Sequence, residues 1–281
     1  MKLGKFEIYP VTDVSIYLDG GAVFGIVPRV LWEKVYSPDD RNRIQLSLNC
    51  SLVVTGRYNI LIDTGIGTKH NEKFCQIYGI DKKPCLLESL YRYGLESKDI
   101  DLVINTHLHF DHAGGNTALN KSGKVVPSFP KARYFIQKGE MEAAVNPNER
   151  TRASYIPDDF LPLDNHQCLS LIKDESIEID KGISLIRIGG HTRNHQCIKI
   201  ESEGCVAFFL GDLVPTAAHL HYPCISGYDL FPLETLENKK KVLQQAFEEH
   251  WLLLFQHDPK IQMGYLKKVD GRFEIEEVKT E

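Results

Sequence analysis

Three of the chain's eleven histidines fall within six residues, in the run His107-Leu108-His109-Phe110-Asp111-His112, with an aspartate among them. Imidazole nitrogens and carboxylate oxygens suit borderline-hard divalent ions, and zinc takes both readily. Side chains at i and i+2 of an extended segment point to the same side. His107 and His109 can therefore converge on one ion. Asp111 begins a turn and His112 beside it points elsewhere, so this pair suits a second ion close by. A polar loop that merely contains histidines would need a partner for every nitrogen and oxygen once buried. Metal is the more economical reading. Ala113-Gly114-Gly115-Asn116 follows, and its glycines let backbone approach closely while a helix begins.

The surrounding elements must deliver that run to one place. Asp101-Leu102-Val103-Ile104-Asn105 reads as a short buried strand whose end leads straight into the cluster. Upstream, Ser51 to Thr55 and Asn59 to Ile62 flank Gly56-Arg57-Tyr58 as a hairpin, and the second strand stops at Asp63-Thr64-Gly65. Leu86 to Tyr93 has helical spacing. Ala132 to Gln137 is strand-like and Lys138 to Val145 helix-like. Ile183 to Ile188 alternates and stops at Gly189-Gly190-His191. Gln196 to Glu201 and Cys205 to Leu210 form a further hairpin ending at Gly211-Asp212. Glu234 to Trp251 reads as a long amphipathic helix, in which Lys239-Lys240-Lys241 is taken as a solvated face. Leu252 to Phe255 leads to His257, and Asp270-Gly271 marks a last hairpin. With strands in the majority and helices between strand pairs, two sheets covered by helices is the natural layering. No linker separates the halves, so residues 1–281 are read as one domain.

The bulk figures exclude several classes. A hydrophobic content of 42% with 25% charged residues fits a globular protein with a full core, and the net charge of −5 offers no basic face for nucleic acid. No apolar run reaches a membrane span. Lys5 and Glu7 interrupt any signal-peptide core, which makes a cytoplasmic location the expectation. Seven scattered cysteines without a C-x-x-C pair are read as reduced thiols, although Cys75 and Cys85 flank a segment across which they could bridge.

Thr106-His107-Leu108-His109-Phe110-Asp111-His112-Ala113-Gly114-Gly115-Asn116 resembles the signature of the metallo-β-lactamase-fold hydrolases. Asp63-Thr64-Gly65, Gly190-His191-Thr192, Gly211-Asp212 and Gln256-His257-Asp258 match that family's further motifs in order and placement. The resemblance covers most of the chain. It implies an α+β fold, a four-layer αββα sandwich with a dinuclear site at one edge between the sheets. It assigns His107, His109 and His191 to a first metal, and Asp111, His112 and His257 to a second, with Asp212 bridging. The last three ligands, His191, Asp212 and His257, rest on the resemblance alone. Zinc is the expected metal, with manganese, cobalt or iron as alternatives. Asp63 and His195 are expected to orient ligands without touching metal. Asp111 is the expected catalytic residue, orienting the nucleophile and passing a proton to the leaving group.

Among that family the chain is similar to the subgroup of quorum-quenching lactonases and methyl parathion hydrolase, through Gly20 to Trp32 and Gly211 to His219. An N-acyl homoserine lactonase-like activity on a hydrophobic, neutral small molecule follows as the expectation. The alternatives are an aryl or organophosphate esterase, a thioesterase, or a mononuclear iron persulfide dioxygenase, which would leave His112 and His257 without a metal. Pro215 stands where the best-known lactonases carry a tyrosine, so either Tyr222 or Tyr228 replaces it from a nearby loop or the contact to the lactone oxygen is absent. Phe24, Trp32, Phe110, His219, Tyr222 and Tyr228 are the candidate pocket residues. Residues 1–45 are read as an N-terminal arm or loop in contact with the pocket or with a partner copy in a homodimer.

Overall fold

Runs of β-branched and apolar residues build two seven-stranded sheets in the computed structural model, which describes residues 1–80 and 85–279. Contacts group the chain into two units, Met1–Val14 with Leu48–Asp174 and Ser15–Ser47 with Glu175–Glu281. In the first sheet the hairpin pairs Ser51 with Ile62 and Val54 with Asn59. Strand Asn59–Ile62 then runs parallel to Leu102–Ile104, and that strand parallel to Arg133–Gln137. Parallel central strands are covered on both faces, and Leu102, Val103 and Ile104 are all buried. Because Asn59–Ile62 and Leu102–Ile104 point the same way, Asp63 and Thr106-His107 emerge side by side at their carboxyl ends. The Asp63 N–H donates to the Ile104 carbonyl at 2.8 Å.

The second sheet repeats the device. Its order runs from Ser176–Asp180 through Ile183–Arg187, Gln196–Ser202 and Cys205–Phe209 to Leu252–Leu254, Met263–Val269 and Arg272–Glu277. Only the Cys205–Phe209 and Leu252–Leu254 neighbours are parallel. Their carboxyl ends release Gly211-Asp212 and Phe255-Gln256-His257. Each unit has its own apolar core, one around Leu52, Leu61, Val103 and Tyr134, the other around Phe208, Leu243, Leu253 and Phe255.

Three expectations change. The stretch read as an N-terminal arm or loop holds strands Lys2–Leu3 and Phe6–Asp19, which are members of the first sheet, followed by short helices Gly20–Phe24 and Arg29–Trp32. The long helix runs Pro232–Glu248, because Pro232 pre-sets the first turn and His250 takes a positive φ of 55° beyond the end. Lys239 is fully buried, not solvated. At about 100° per residue, Lys239 falls on one stripe with Thr235, Val242, Leu243 and Ala246, whereas Lys240 and Lys241 turn away from it. All seven cysteines are free thiols, and part of the segment between Cys75 and Cys85 lies outside the described residues. Among the described residues no helix is long and apolar enough to cross a membrane.

Candidate metal centre

In the first unit the chain leaves Leu102–Ile104 extended, and His109 keeps a φ of −64° and ψ of 151° before the one-turn helix Phe110–Ala113. Extension brings the His107 and His109 rings to one side, 4.4 Å apart between centroids, with His112 4.0 Å from His107. The ligand atoms of His107 and His109, of His107 and His112, and of Asp111 and His112 lie within 4.8 Å of each other. Asp63 sits beneath them, fully buried. Its carboxylate accepts the Thr106 N–H at 2.7 Å, the Thr106 hydroxyl at 2.8 Å and His112 Nδ1 at 2.9 Å. Gly115 lies so close to the turn after Asp63 that a Cβ there would come within 2.1 Å of the Thr64 carbonyl.

Several residues brace this half without any signal in the motif. Asp13, buried, accepts N–H groups from Ile66, Gly67 and Leu86 at 2.9, 3.0 and 2.8 Å, fixing the loop after Asp63; burial raises its carboxyl above the ordinary range. Glu140 accepts the Leu108 N–H at 3.2 Å and the Tyr155 hydroxyl at 2.9 Å, and the Tyr155 ring packs 5.0 Å from His109. Lys69 joins Asp159 in a buried ion pair at 2.7 Å and donates to the Gly114 carbonyl.

In the second unit His191 Nε2 lies 3.2 Å from one oxygen of Asp212, and His257 Nε2 lies 3.1 Å from the other. The Asp212 N–H donates to His195 Nε2 at 3.0 Å, so His195 carries its proton on Nδ1 and holds the backbone of Asp212. Asp229, absent from the sequence reading, faces His191 Nδ1 at 2.9 Å and accepts the Thr235 hydroxyl at 2.6 Å. His257 Nδ1 faces the Ser47 carbonyl at 3.0 Å.

These contacts fix tautomers. A carbonyl only accepts, so His257 Nδ1 carries the proton, and Asp229 and Asp63 impose the same form on His191 and His112. Each ring then turns a lone pair outward on Nε2. Two such lone pairs face the Asp212 carboxylate, and acceptor against acceptor at that range calls for positive charge between them. A divalent ion supplies it without two buried imidazoliums. The histidine and aspartate groups are therefore suited to holding metal.

The candidate pocket residues separate. Phe24 and Trp32 stack at 5.7 Å and line a cavity in the second unit. His219 lies behind that wall, fully buried, its Nε2 on the Val23 carbonyl at 3.1 Å and its Nδ1 on the Thr216 hydroxyl at 2.8 Å. Burial holds its pKa down at about 4, so the ring is neutral. Tyr222 borders a smaller cleft beside Phe273, and Tyr228 is 41% exposed. Phe110 packs in the first unit against Phe74 and Tyr78, at 5.3 and 4.9 Å, from helix Glu72–Tyr78, which the sequence reading missed. Burial and the Asp111 charge raise the Tyr78 phenol above its ordinary range.

The chain belongs to the metallo-beta-lactamase superfamily, whose family model matches residues 44–257. Its two mixed sheets with helices are the α+β fold of that superfamily. An N-acyl homoserine lactonase of Bacillus cereus is 30% identical over 172 residues, 58% of this chain and 61% of that protein. The chain thus spans about three fifths of that relative's length. The crystal structure of a probable metal-dependent hydrolase from Staphylococcus aureus is 32% identical, with a TM-score of 0.90 and 100% of both chains covered. AidC, a dizinc quorum-quenching lactonase solved with a product, shares the fold at 23% identity, with a TM-score of 0.81 over 100% of this chain and 97% of that one.

Proposed function

We propose that the protein is a two-metal hydrolase that opens N-acyl homoserine lactones or closely related hydrophobic esters. His107, His109 and His191 would hold one ion and Asp111, His112 and His257 the other, with Asp212 available to both. The observation that carries this reading is the imposed tautomer: Nδ1 of His112, His191 and His257 is engaged, at 2.9, 2.9 and 3.0 Å, leaving Nε2 of each ring for a cation. When bound, two such ions lower the pKa of water and offset charge developing on a carbonyl oxygen.

The chain's own residues do the rest. Asp111 orients the attacking water, takes the proton the water loses and hands it to the departing alkoxide. Asp63, His195 and Asp229 hold ligands in place. Phe74, Tyr78 and Phe110 offer an apolar surface beside Asp111 that suits an acyl chain. The lactonase relatives support the ring as substrate. Pro215, in the place of the lactonase tyrosine, uses its carbonyl to accept the His257 N–H at 2.9 Å. Contact with the lactone oxygen then falls to other groups, which is consistent with hydrolysis of open-chain esters at the same site.

The test is proton release from acyl homoserine lactones of graded chain length, with metal content measured on the same sample. About two ions per chain and ring opening are expected, with Asp111→Asn lowering the rate by about a hundredfold or more. A metal-loaded protein that opens no lactone of any chain length would sink the lactonase assignment.

A further inference from the structure

The second unit holds a cavity of about 880 Å³ with no proposed metal ligand in its lining. One wall is the segment Phe24 to Val35, a second is Ala217 to Cys224, and the floor includes Phe273 and Ile275. Its volume falls within the roughly 300–1,000 Å³ of small-molecule sites. The lip is unusually apolar for a surface. Ile26 is 88% exposed, Leu31 53% and Val35 53%.

The walls are held by buried polar groups. Lys239, fully buried, donates to the carbonyls of His219, His221 and Cys224 at 3.0, 3.1 and 2.7 Å, using all three ammonium protons. His219 ties the same segment to Val23 and stacks on Phe24 at 4.9 Å. Gly25, with a φ of 57°, lets the two walls touch, since a Cβ would come within 2.2 Å of the Ile225 carbonyl. Burying an ammonium is costly unless every proton finds an acceptor. Its use here fixes a concave shape that an ordinary surface would not need.

At the rim, Glu274 pairs with Lys267 at 3.7 Å, whereas the exposed Arg272 has no ion-pair partner among the described residues. An apolar trough with an unpaired guanidinium at its mouth matches a chain bearing one anionic end. We infer that this cavity binds a single-chain carboxylate amphiphile, with the chain along Phe24, Leu31 and Phe273 and the carboxylate at Arg272. The inference does not rest on the hydrolase reading.

Titration of the metal-loaded full chain with 11-(dansylamino)undecanoate, read by dansyl emission, tests it, with laurate as competitor. Binding displaced by laurate is expected, weakened about tenfold or more by Leu31→Glu, which sets a charge along the chain path. Arg272→Ala is expected to weaken laurate several-fold while leaving uncharged dodecanol unchanged as a competitor. Binding that survives Leu31→Glu but disappears when metal is chelated would put the probe at the metal centre and overturn the inference. So would a wild-type protein that binds no probe and is a dimer by light scattering, with Leu31→Glu monomeric. That result would give the trough to a second copy of the chain.

Discussion

Asp63→Asn probes the tautomer argument at its tightest point. The carboxylate is fully buried and makes three contacts, to the Thr106 N–H at 2.7 Å, the Thr106 hydroxyl at 2.8 Å and His112 Nδ1 at 2.9 Å. Asparagine keeps the shape but has one accepting oxygen and one NH₂ group. If the oxygen stays on the Thr106 N–H, the NH₂ meets His112 Nδ1, and the ring must move its proton to Nε2, the atom offered to metal. If the amide turns over, NH₂ points at a backbone N–H that cannot reverse. Either the ring gives up the tautomer that offers Nε2 to metal, or a donor faces a donor in the core at about 1–3 kcal/mol, and in both cases charge-assisted bonds become neutral ones. The metal-free variant should therefore lose about 2–4 kcal/mol of unfolding free energy in urea. Its metal affinity, from competition with a chromophoric chelator, should fall about 10- to 100-fold. Asp229→Asn is the control. Its partner at 2.6 Å is the Thr235 hydroxyl, which can turn and accept from the new NH₂ while the amide oxygen stays on His191. The loss should be smaller. Unchanged metal affinity in Asp63→Asn, or a loss in Asp229→Asn as large, would refute the reasoning.

Other consequences are open to direct measurement. His219 has its pKa lowered by burial from 6.5 to about 4, so the unfolded chain takes up a proton in that window and the folded one does not. Its contribution is fully present above pH 6.5 and is lost as pH falls toward 4, by on the order of 3 kcal/mol. Urea midpoints across that range should show a shallower slope for His219→Gln, whose amide can serve both Thr216 and Val23. Gly190 has a φ of 91°, and a Cβ there would lie 2.5 Å from Thr235 Oγ1 and 2.9 Å from that residue's backbone. Gly190→Ala should cost about 2–4 kcal/mol in thermal unfolding and weaken metal retention through the neighbouring His191. Chelation should lower the melting temperature, with recovery that depends on the concentration of added zinc, because metal binds the folded form.

Legibility in the sequence followed locality. The His107–His112 run declared itself because one extended segment and one turn set all four groups. The strands leading to Asp63, His107, His191 and Asp212 were readable because each is a short apolar run stopped by Gly or a polar turn. The braces were not readable, since their partners are far apart in sequence. Asp229 reaches His191 across 38 positions, Asp13 reaches Leu86 across 73, and Glu140 reaches Leu108 across 32. A lone aspartate in a loop looks the same whether it orients a ligand or faces water. Helix Glu72–Tyr78 has no buried residue, so it lacked the apolar stripe that marks a packed helix, and its aromatics went unnoticed.

Lys239 shows the limit from the other side. Its neighbours Lys240 and Lys241 make a charged run, and charge runs on helices are usually solvated. Helical phase opposes that reading, because Thr235, Val242, Leu243 and Ala246 occupy one face and Lys239 falls on it. Phase is a geometric constraint on the backbone, whereas composition is only a tendency, so phase should prevail where they conflict. What phase could not supply was the set of acceptors. The carbonyls of His219, His221 and Cys224 come from a loop 15 to 20 positions away, and burial still lowers the Lys239 pKa from 10.5 to about 8. A neutral amine has only two protons for three carbonyls. Deprotonation as pH rises through 8 therefore releases one of the bonds holding the 219–224 wall, even as it relieves the cost of a buried charge. Stability from this group rises over pH 8 to 10.5, because the unfolded lysine keeps its proton longer. The wall should meanwhile loosen, read as faster amide exchange at residues 219–224 and absent in Lys239→Met. Exchange there that is as slow at pH 9.5 as at pH 7, after correction for intrinsic rates, would show that the third bond contributes nothing to the wall.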